Sequence, residues 1–112
     1  MKKDTIPFQD FIKTDVRVGK VINATLVEGS SKLIELTVDL GEDYGTKTIF
    51  TGMQKWYTPE NFQGKNFLFV ANLEPKQMMG KESQGMIMAA DKDGQPLLIE
   101  VSETYDPGLQ VI

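Results

Sequence analysis

Leu33-Ile34-Glu35-Leu36-Thr37-Val38-Asp39-Leu40 alternates apolar and polar residues, with Leu36, Val38 and Leu40 against Glu35, Thr37 and Asp39. Successive strand side chains point to opposite faces, so this pattern predicts a strand with one face in a core and the other in water. Gly41-Glu42-Asp43-Tyr44-Gly45 is a polar connection, and Thr46–Thr51 is the returning strand of a hairpin. Upstream, Asp15-Val16-Arg17-Val18-Gly19-Lys20-Val21-Ile22-Asn23-Ala24 reads as a long strand. Its internal Gly19 marks a bulge or bend where the strand turns a corner, and Glu28-Gly29-Ser30-Ser31 turns the chain into the alternating segment. Three antiparallel strands therefore come first.

Downstream, Thr58-Pro59-Glu60-Asn61 carries the marks of a short helix: a capping hydroxyl, proline at the first helical position and an acid in the first turn. Asn66–Leu73 is a fourth strand, apolar on both faces and hence central. Glu74–Gln84 reads as a loop, Gly85–Ala90 as a fifth strand, Asp91-Lys92-Asp93-Gly94 as a tight turn and Leu97–Val101 as a last short strand. At the front, Pro7, Phe8, Phe11 and Ile12 suit one or two helical turns packed as a lid on a barrel end. Three strands, a helix and two more strands predict an all-β OB-fold: a five-stranded Greek-key barrel with short helices and a C-terminal strand extension. An SH3-like barrel or a small sandwich accepts the same strands, and the helix position favours the OB-fold. Phe50, Phe62, Phe67 and Phe69 are assigned to the core.

The 112 residues make one domain, residues 1–112. There is no cysteine and no histidine, which removes disulfides, thiol chemistry, Cys/His zinc sites and imidazole-activated nucleophiles. Asp91-x-Asp93-Gly94 matches the opening of a calcium loop, but Glu100 comes too early to be its last ligand. The expectation is a non-catalytic protein with no metal and no cofactor. No run approaches the ~20 apolar residues that span a bilayer, and Lys2-Lys3 are followed by Asp4 and Asp10 rather than an apolar leader. A cytoplasmic protein with no membrane partner is expected. Net charge is −4, yet Met1–Ala90 is balanced and the whole excess lies in Asp91–Ile112, so a basic face can still exist.

Asp15-Val16-Arg17-Val18-Gly19-Lys20-Val21 and Asn72-Leu73-Glu74-Pro75-Lys76-Gln77-Met78-Met79-Gly80-Lys81-Glu82-Ser83-Gln84-Gly85-Met86 resemble the two signature stretches of the tRNA-binding domain family. Val38-Asp39-Leu40-Gly41, Thr51-Gly52-Met53 and Pro59-Glu60-Asn61-Phe62-Gln63-Gly64-Lys65 match further family patterns in order, so the likeness runs over roughly Phe8 to Ile112. The family includes stand-alone tRNA-binding proteins, the C-terminal or beta-subunit domain of bacterial methionyl-tRNA synthetase, and eukaryotic endothelial monocyte-activating-polypeptide-like domains. The resemblance implies an OB-fold that grips the folded shape of tRNA and assists a synthetase, with the methionyl enzyme the expected partner and a homodimer the expected assembly. A free-standing protein or a synthetase beta subunit is expected rather than a fragment. Related OB-fold proteins that bind unfolded polypeptide as export-linked chaperones are the alternative.

On this reading the tRNA-binding residues are Arg17, Lys20, Lys32, Asn72, Lys76, Lys81, Ser83 and Met86. Arg17 offers a planar fork for phosphate or a stacking plane for a base, and Lys20 a point charge; both are expected to reach one rim of the barrel. The bland alternative for Arg17 is an ion pair with Asp15 or Asp39. Lys76 and Lys81 flank Gly80 in a loop whose small residues let backbone N–H groups approach phosphate. Ser83 can meet a 2′-hydroxyl or simply cap the turn. Met78, Met79, Met86 and Met88 are expected to fill the barrel and its end, with Met79 or Met86 able to pack on an unstacked base. Trp56 is expected to plug the barrel or a dimer contact, with base stacking as the alternative. Lys13, Lys47, Lys55 and Lys65 complete the candidate footprint. Glu74 and Met79 stand where many relatives carry lysine and arginine, which lowers the expected affinity.

Overall fold

In the computed structural model, which describes residues 1–112, Phe8–Phe11 (α1), Val16–Leu26 (β1), Ile34–Asp39 (β2), Thr46–Thr51 (β3), Asn66–Val70 (β4), Lys76–Met78 (β5), Lys81–Ser83 (β6), Met86–Ile87 (β7), Ala89–Lys92 (β8) and Gln95–Leu98 (β9) follow one another, with a 3-10 turn at Pro59–Asn61. β1 is long enough to serve two partners, pairing antiparallel with β2 through its later residues and with β4 through its earlier ones. The sheet order is β3-β2-β1-β4-β7, and the sheet curls into the nearly closed antiparallel barrel of the OB-fold. Side-chain and backbone hydrogen bonds complete the seam between its ends. Phe50 N–H donates to Ser83 Oγ at 3.0 Å, and Gln84 N–H donates to the Thr48 carbonyl at 2.8 Å.

The alternation in β2 places Ile34, Leu36, Val38 and Leu40 fully inside, against Phe62, Phe67 and Phe69. Gly19 does not mark the irregularity in β1: the register shifts between Val21 and Asn23. Its role is space, because a Cβ there would sit 2.6 Å from Phe69 Cδ1 and 2.7 Å from Val38 Cγ1. The 3-10 turn is closed by Asn61, whose Oδ1 accepts from Thr58 N–H at 2.9 Å.

Three other expectations change. Glu74–Gln84 is not a loop but contains the β5–β6 hairpin, with Met78 opposite Lys81 and Met79-Gly80 between them. Both turn residues have positive φ, 51° and 82°, the geometry of a two-residue hairpin turn whose twist matches its strands. The fifth strand is divided: Met88 N–H still donates to the Leu68 carbonyl, then β8 leaves the barrel to pair with β9 around Asp93-Gly94. The lid is not packed, since Ile6, Phe8, Phe11 and Ile12 are all more than half exposed. A four-residue helix buries too little to hold itself against the barrel.

The C-terminal segment takes the place beside β1 that β2 leaves. Gly108 N–H donates to the Val18 carbonyl, and Val111 N–H to that of Val16. The two backbones at Gly41 and Gly108 touch so closely that a Cβ on Gly41, itself at φ +84°, would fall 2.7 Å from Gly108 Cα.

Candidate nucleic-acid interface

The outward side of β1, β2 and β3 forms rows fixed by register: Lys20 lies opposite Asp39, and Thr25 opposite Glu35 opposite Phe50. Four residues of β2 separate the two rows, about 13 Å at the rise of a strand. Lys81 reaches over the second row, its Nζ 3.1 Å from Glu35 Oε2. Lys20 and Lys81 therefore stand over the two ends of one face. Lys76 lies opposite Ser83 in the β5–β6 hairpin, and the hairpin overhangs a groove of about 480 Å³ lined by Phe50, Leu73, Glu74, Lys76, Met78, Ser83, Gly85 and Met86.

Lys32 sits in the turn after β1. Its N–H and that of Leu33 donate to Ser30 Oγ, and Met79 at the hairpin tip reaches over Gly29 of the same turn. That turn and the hairpin therefore flank one side of the molecule. Lys20, Lys32 and Lys76 make no ion pair, whereas Lys81 shares its charge with Glu35 and Lys13 with Asp10. Met86 is 49% exposed at the groove; it and Met79 do not fill the barrel, and Met53 is the methionine that is buried.

Arg17 does not share a face with Lys20. It has the parity of Gly19, whose missing Cβ points inward, so its guanidinium closes the barrel end. Nε and Nη2 donate to Asp15 at 2.7 and 3.0 Å, and Nη1 donates to Asp43 Oδ2 at 2.9 Å and to the Gly108 carbonyl at 3.1 Å. The bland alternative is thus realised, with Asp43 in the place considered for Asp39. Tyr44 OH donates to Asp15 at 2.6 Å, and its ring lies 5.3 Å beneath the Arg17 Cζ. The Arg17 hydrogen bonds hold the Asp15 carboxyl below its ordinary range, and the bond to Asp15 pushes the Tyr44 hydroxyl up. Asn72 ties the chain entering β1 to the end of β4: its Nδ2 donates to the Lys13 carbonyl and its Oδ1 accepts from Asp15 N–H. Ser83 Oγ is an acceptor in the barrel seam.

The groove wall includes Phe50 and Leu73, which the sequence places in the core and at a strand end. Phe50 is indeed 93% covered, but the outward parity of its β3 position turns the ring toward the hairpin. No sequence signal separates the two faces of β3 there, because Ile49 and Phe50 are consecutive large apolar residues on opposite faces.

A family model described as "Putative tRNA binding domain" matches residues 16–110. A methionine–tRNA ligase of Archaeoglobus fulgidus is 42% identical over 110 residues, covering 98% of this chain and 16% of the relative. The chain thus spans about one sixth of the length of that relative. Among solved structures, a MetRS-related protein from Pyrococcus horikoshii superposes with a TM-score of 0.92 at 38% identity, covering 98% of this chain and 100% of the other. The chaperone CsaA of Bacillus anthracis superposes with a TM-score of 0.84 at 26% identity, covering 97% and 100%.

Proposed function

The chain belongs to the tRNA-binding domain family, and from that premise we propose that residues 1–112 act as one module that grips the backbone of folded tRNA on behalf of an aminoacyl-tRNA synthetase. The observation that carries this reading is the meeting of Lys76, Ser83 and Met86 around one groove, flanked by the turn that holds Lys32. OB-folds take oligonucleotides on this side, between those two loops. Lys32 and Lys76 supply unshared charge for phosphates, Lys81 a charge held in reserve by Glu35, and Lys20 the far end of the same face. Arg17 and Asn72 act as positioning residues that fix the strand ends behind the groove. The methionyl enzyme is the synthetase this reading favours, on the strength of the 42% identity above.

The assembly that fits the surface is a homodimer. α1 leads into the start of β1 and the C-terminal segment runs beside it, and between them they leave Phe8, Phe11, Ile12 and Leu109 about half exposed or more. A second copy covering these residues would bury what the chain alone does not. No helix is long and apolar enough to cross a membrane, and the setting that fits the role is the cytoplasm.

Fluorescently labelled, unfractionated tRNA titrated with the full chain at low and moderate salt tests the reading. The expected result is a rise in anisotropy whose midpoint moves to higher protein concentration as salt is added. The likeness to the CsaA chaperone supports polypeptide binding as the second reading. Suppressed aggregation of an unfolded protein without any salt-sensitive tRNA signal would put that reading first. Sedimentation of the chain as a monomer at micromolar concentration would remove the homodimer.

A further inference from the structure

Thr51 and Met53, just past Phe50 in the chain, border a second cleft of about 380 Å³ with Trp56, Ala89, Asp91 and Gly94. Trp56 and Gly94 also border a polar cleft of about 460 Å³ that includes Lys55, Lys92, Asp93 and Gln95. The indole thus stands between two clefts, one of mixed polarity that includes Asp91 and one charged.

Trp56 is not spent on the core. It is 37% exposed, and the neighbouring Tyr57 does the packing instead, edge-on to Phe62 with its hydroxyl donating to the Pro96 carbonyl at 2.9 Å. The expectation that Trp56 plugs the barrel therefore fails. Lys55 Nζ lies 5.4 Å from the indole centroid, and neither Lys55 nor Lys92 makes an ion pair. An indole 37% exposed, with the Lys55 ammonium over its ring and Lys92 in the same cleft, suits an unpaired nucleotide, whose base stacks on the exposed part of the indole while its phosphate meets the lysines. Asp93 and Asp91, one in each of the two clefts that Trp56 borders, limit the attraction. A second copy of the chain suits it less well, because charged residues are depleted from the cores of protein interfaces.

We propose that Trp56, with Lys55 and Lys92, is a stacking site for an unpaired nucleotide of the RNA that occupies the Lys76–Met86 groove. The site rests on the tRNA reading above, and its failure is separable from the failure of that reading.

Trp56 is the sole tryptophan, so indole emission reports on this site alone. The full chain is titrated with labelled, unfractionated tRNA while anisotropy and indole emission are followed together. The expected result is quenching with the same midpoint as the anisotropy change. Trp56→Leu weakens binding by about tenfold, as the loss of one stacked base does, and Trp56→Phe restores most of it. Where Trp56→Leu fails to fold by circular dichroism, the quenching and the Phe variant decide. Normal anisotropy with unquenched emission and unweakened variants overturns the stacking site and leaves the tRNA reading in place. Absence of any anisotropy change overturns both. Emission that changes with protein concentration alone assigns the indole to a contact between copies and overturns the site.

Discussion

Ser83 Oγ accepts the Phe50 N–H at 3.0 Å, so a hydroxyl from the hairpin supplies a hydrogen bond that the sheet ladder does not. Both residues are buried, and water cannot readily replace the lost acceptor. Ser83→Ala is expected to destabilise the fold by about 1–3 kcal/mol, the cost of an unsatisfied buried N–H. Urea unfolding followed by circular dichroism checks it, and a change below a few tenths of a kcal/mol would show that the seam is held elsewhere. The hydroxyl proton remains free for another acceptor.

Arg17 binds three elements at once: the chain entering β1 through Asp15, the β2–β3 turn through Asp43, and the C-terminal segment through the Gly108 carbonyl. Its side chain is 13% exposed. Arg17→Ala is expected to cost about 1.5–3 kcal/mol, the range for hydrogen bonds to charged groups, and Arg17→Lys to recover only part because an ammonium cannot span the fork. The measurement is the thermal midpoint. An Arg17→Ala chain that melts like the wild type but loses tRNA affinity would return Arg17 to the binding surface.

The same cluster predicts a pH dependence. Asp15 is held below its ordinary pKa, chiefly by the Arg17 hydrogen bonds. A depressed carboxylate contributes stability above its unfolded value near 4, and that contribution is lost as pH falls through the folded value. The stability gap between wild type and Asp15→Asn should be full at pH 6 and shrink below about pH 4. At the alkaline end Tyr44, whose pKa is raised by donating to Asp15, contributes stability below about pH 10 that is lost above it. Denaturation series at pH 3, 6 and 11 test both signs, and a gap that does not vary with pH would sink the assignment.

Gly19→Ala isolates the close approach of β1 to Phe69. The added methyl would meet the ring and Val38 at under 3.0 Å, and overpacking of this kind costs about 1–3 kcal/mol. The backbone at Gly19 is ordinary extended strand, so the loss is steric and not conformational. Phe69→Leu in the same chain should recover part of it, and failure to do so in equilibrium unfolding would place the strain elsewhere.

What the sequence made legible was what carries a period. β2 announces itself because every second residue from Ile34 to Leu40 is buried, and β3 follows from the turn between them. The β5–β6 hairpin was not legible: Lys76, Gln77, Lys81 and Glu82 are polar on both faces, and its turn uses Met79-Gly80 rather than Asn-Gly. Arg17 was legible as half of an ion pair. Asp43 as a partner was not, because it depends on where a turn 26 residues away comes to rest. The apolar residues of α1 said that a cover was needed without saying that the chain itself does not provide it. Of the candidate binding residues, Lys76, Ser83 and Met86 converge on one groove as their spacing in one motif suggests, while Phe50 joins them only through the fold.

Glu35 decides how much charge the sheet face beside the groove offers. Lys81 is paired with it at 3.1 Å, while Lys76, on the same hairpin, has no partner. A phosphate must therefore displace Glu35 to reach Lys81 but meets Lys76 directly. Lys76→Ala should weaken tRNA binding alike for all tRNAs and reduce the slope of log affinity against log salt by about 0.7–0.9, the share of one neutralised phosphate. Lys81→Ala should do less. Glu35→Gln works in the opposite direction: it frees Lys81, removes a repulsive carboxylate, and should raise affinity while steepening the slope. Anisotropy titrations of the three variants between 50 and 200 mM salt, roughly the range over which such contacts are most sensitive, decide the matter. If Glu35→Gln binds tRNA no better than wild type, Lys81 is a strut of the hairpin, and the free charge of this face comes from Lys20, Lys32 and Lys76.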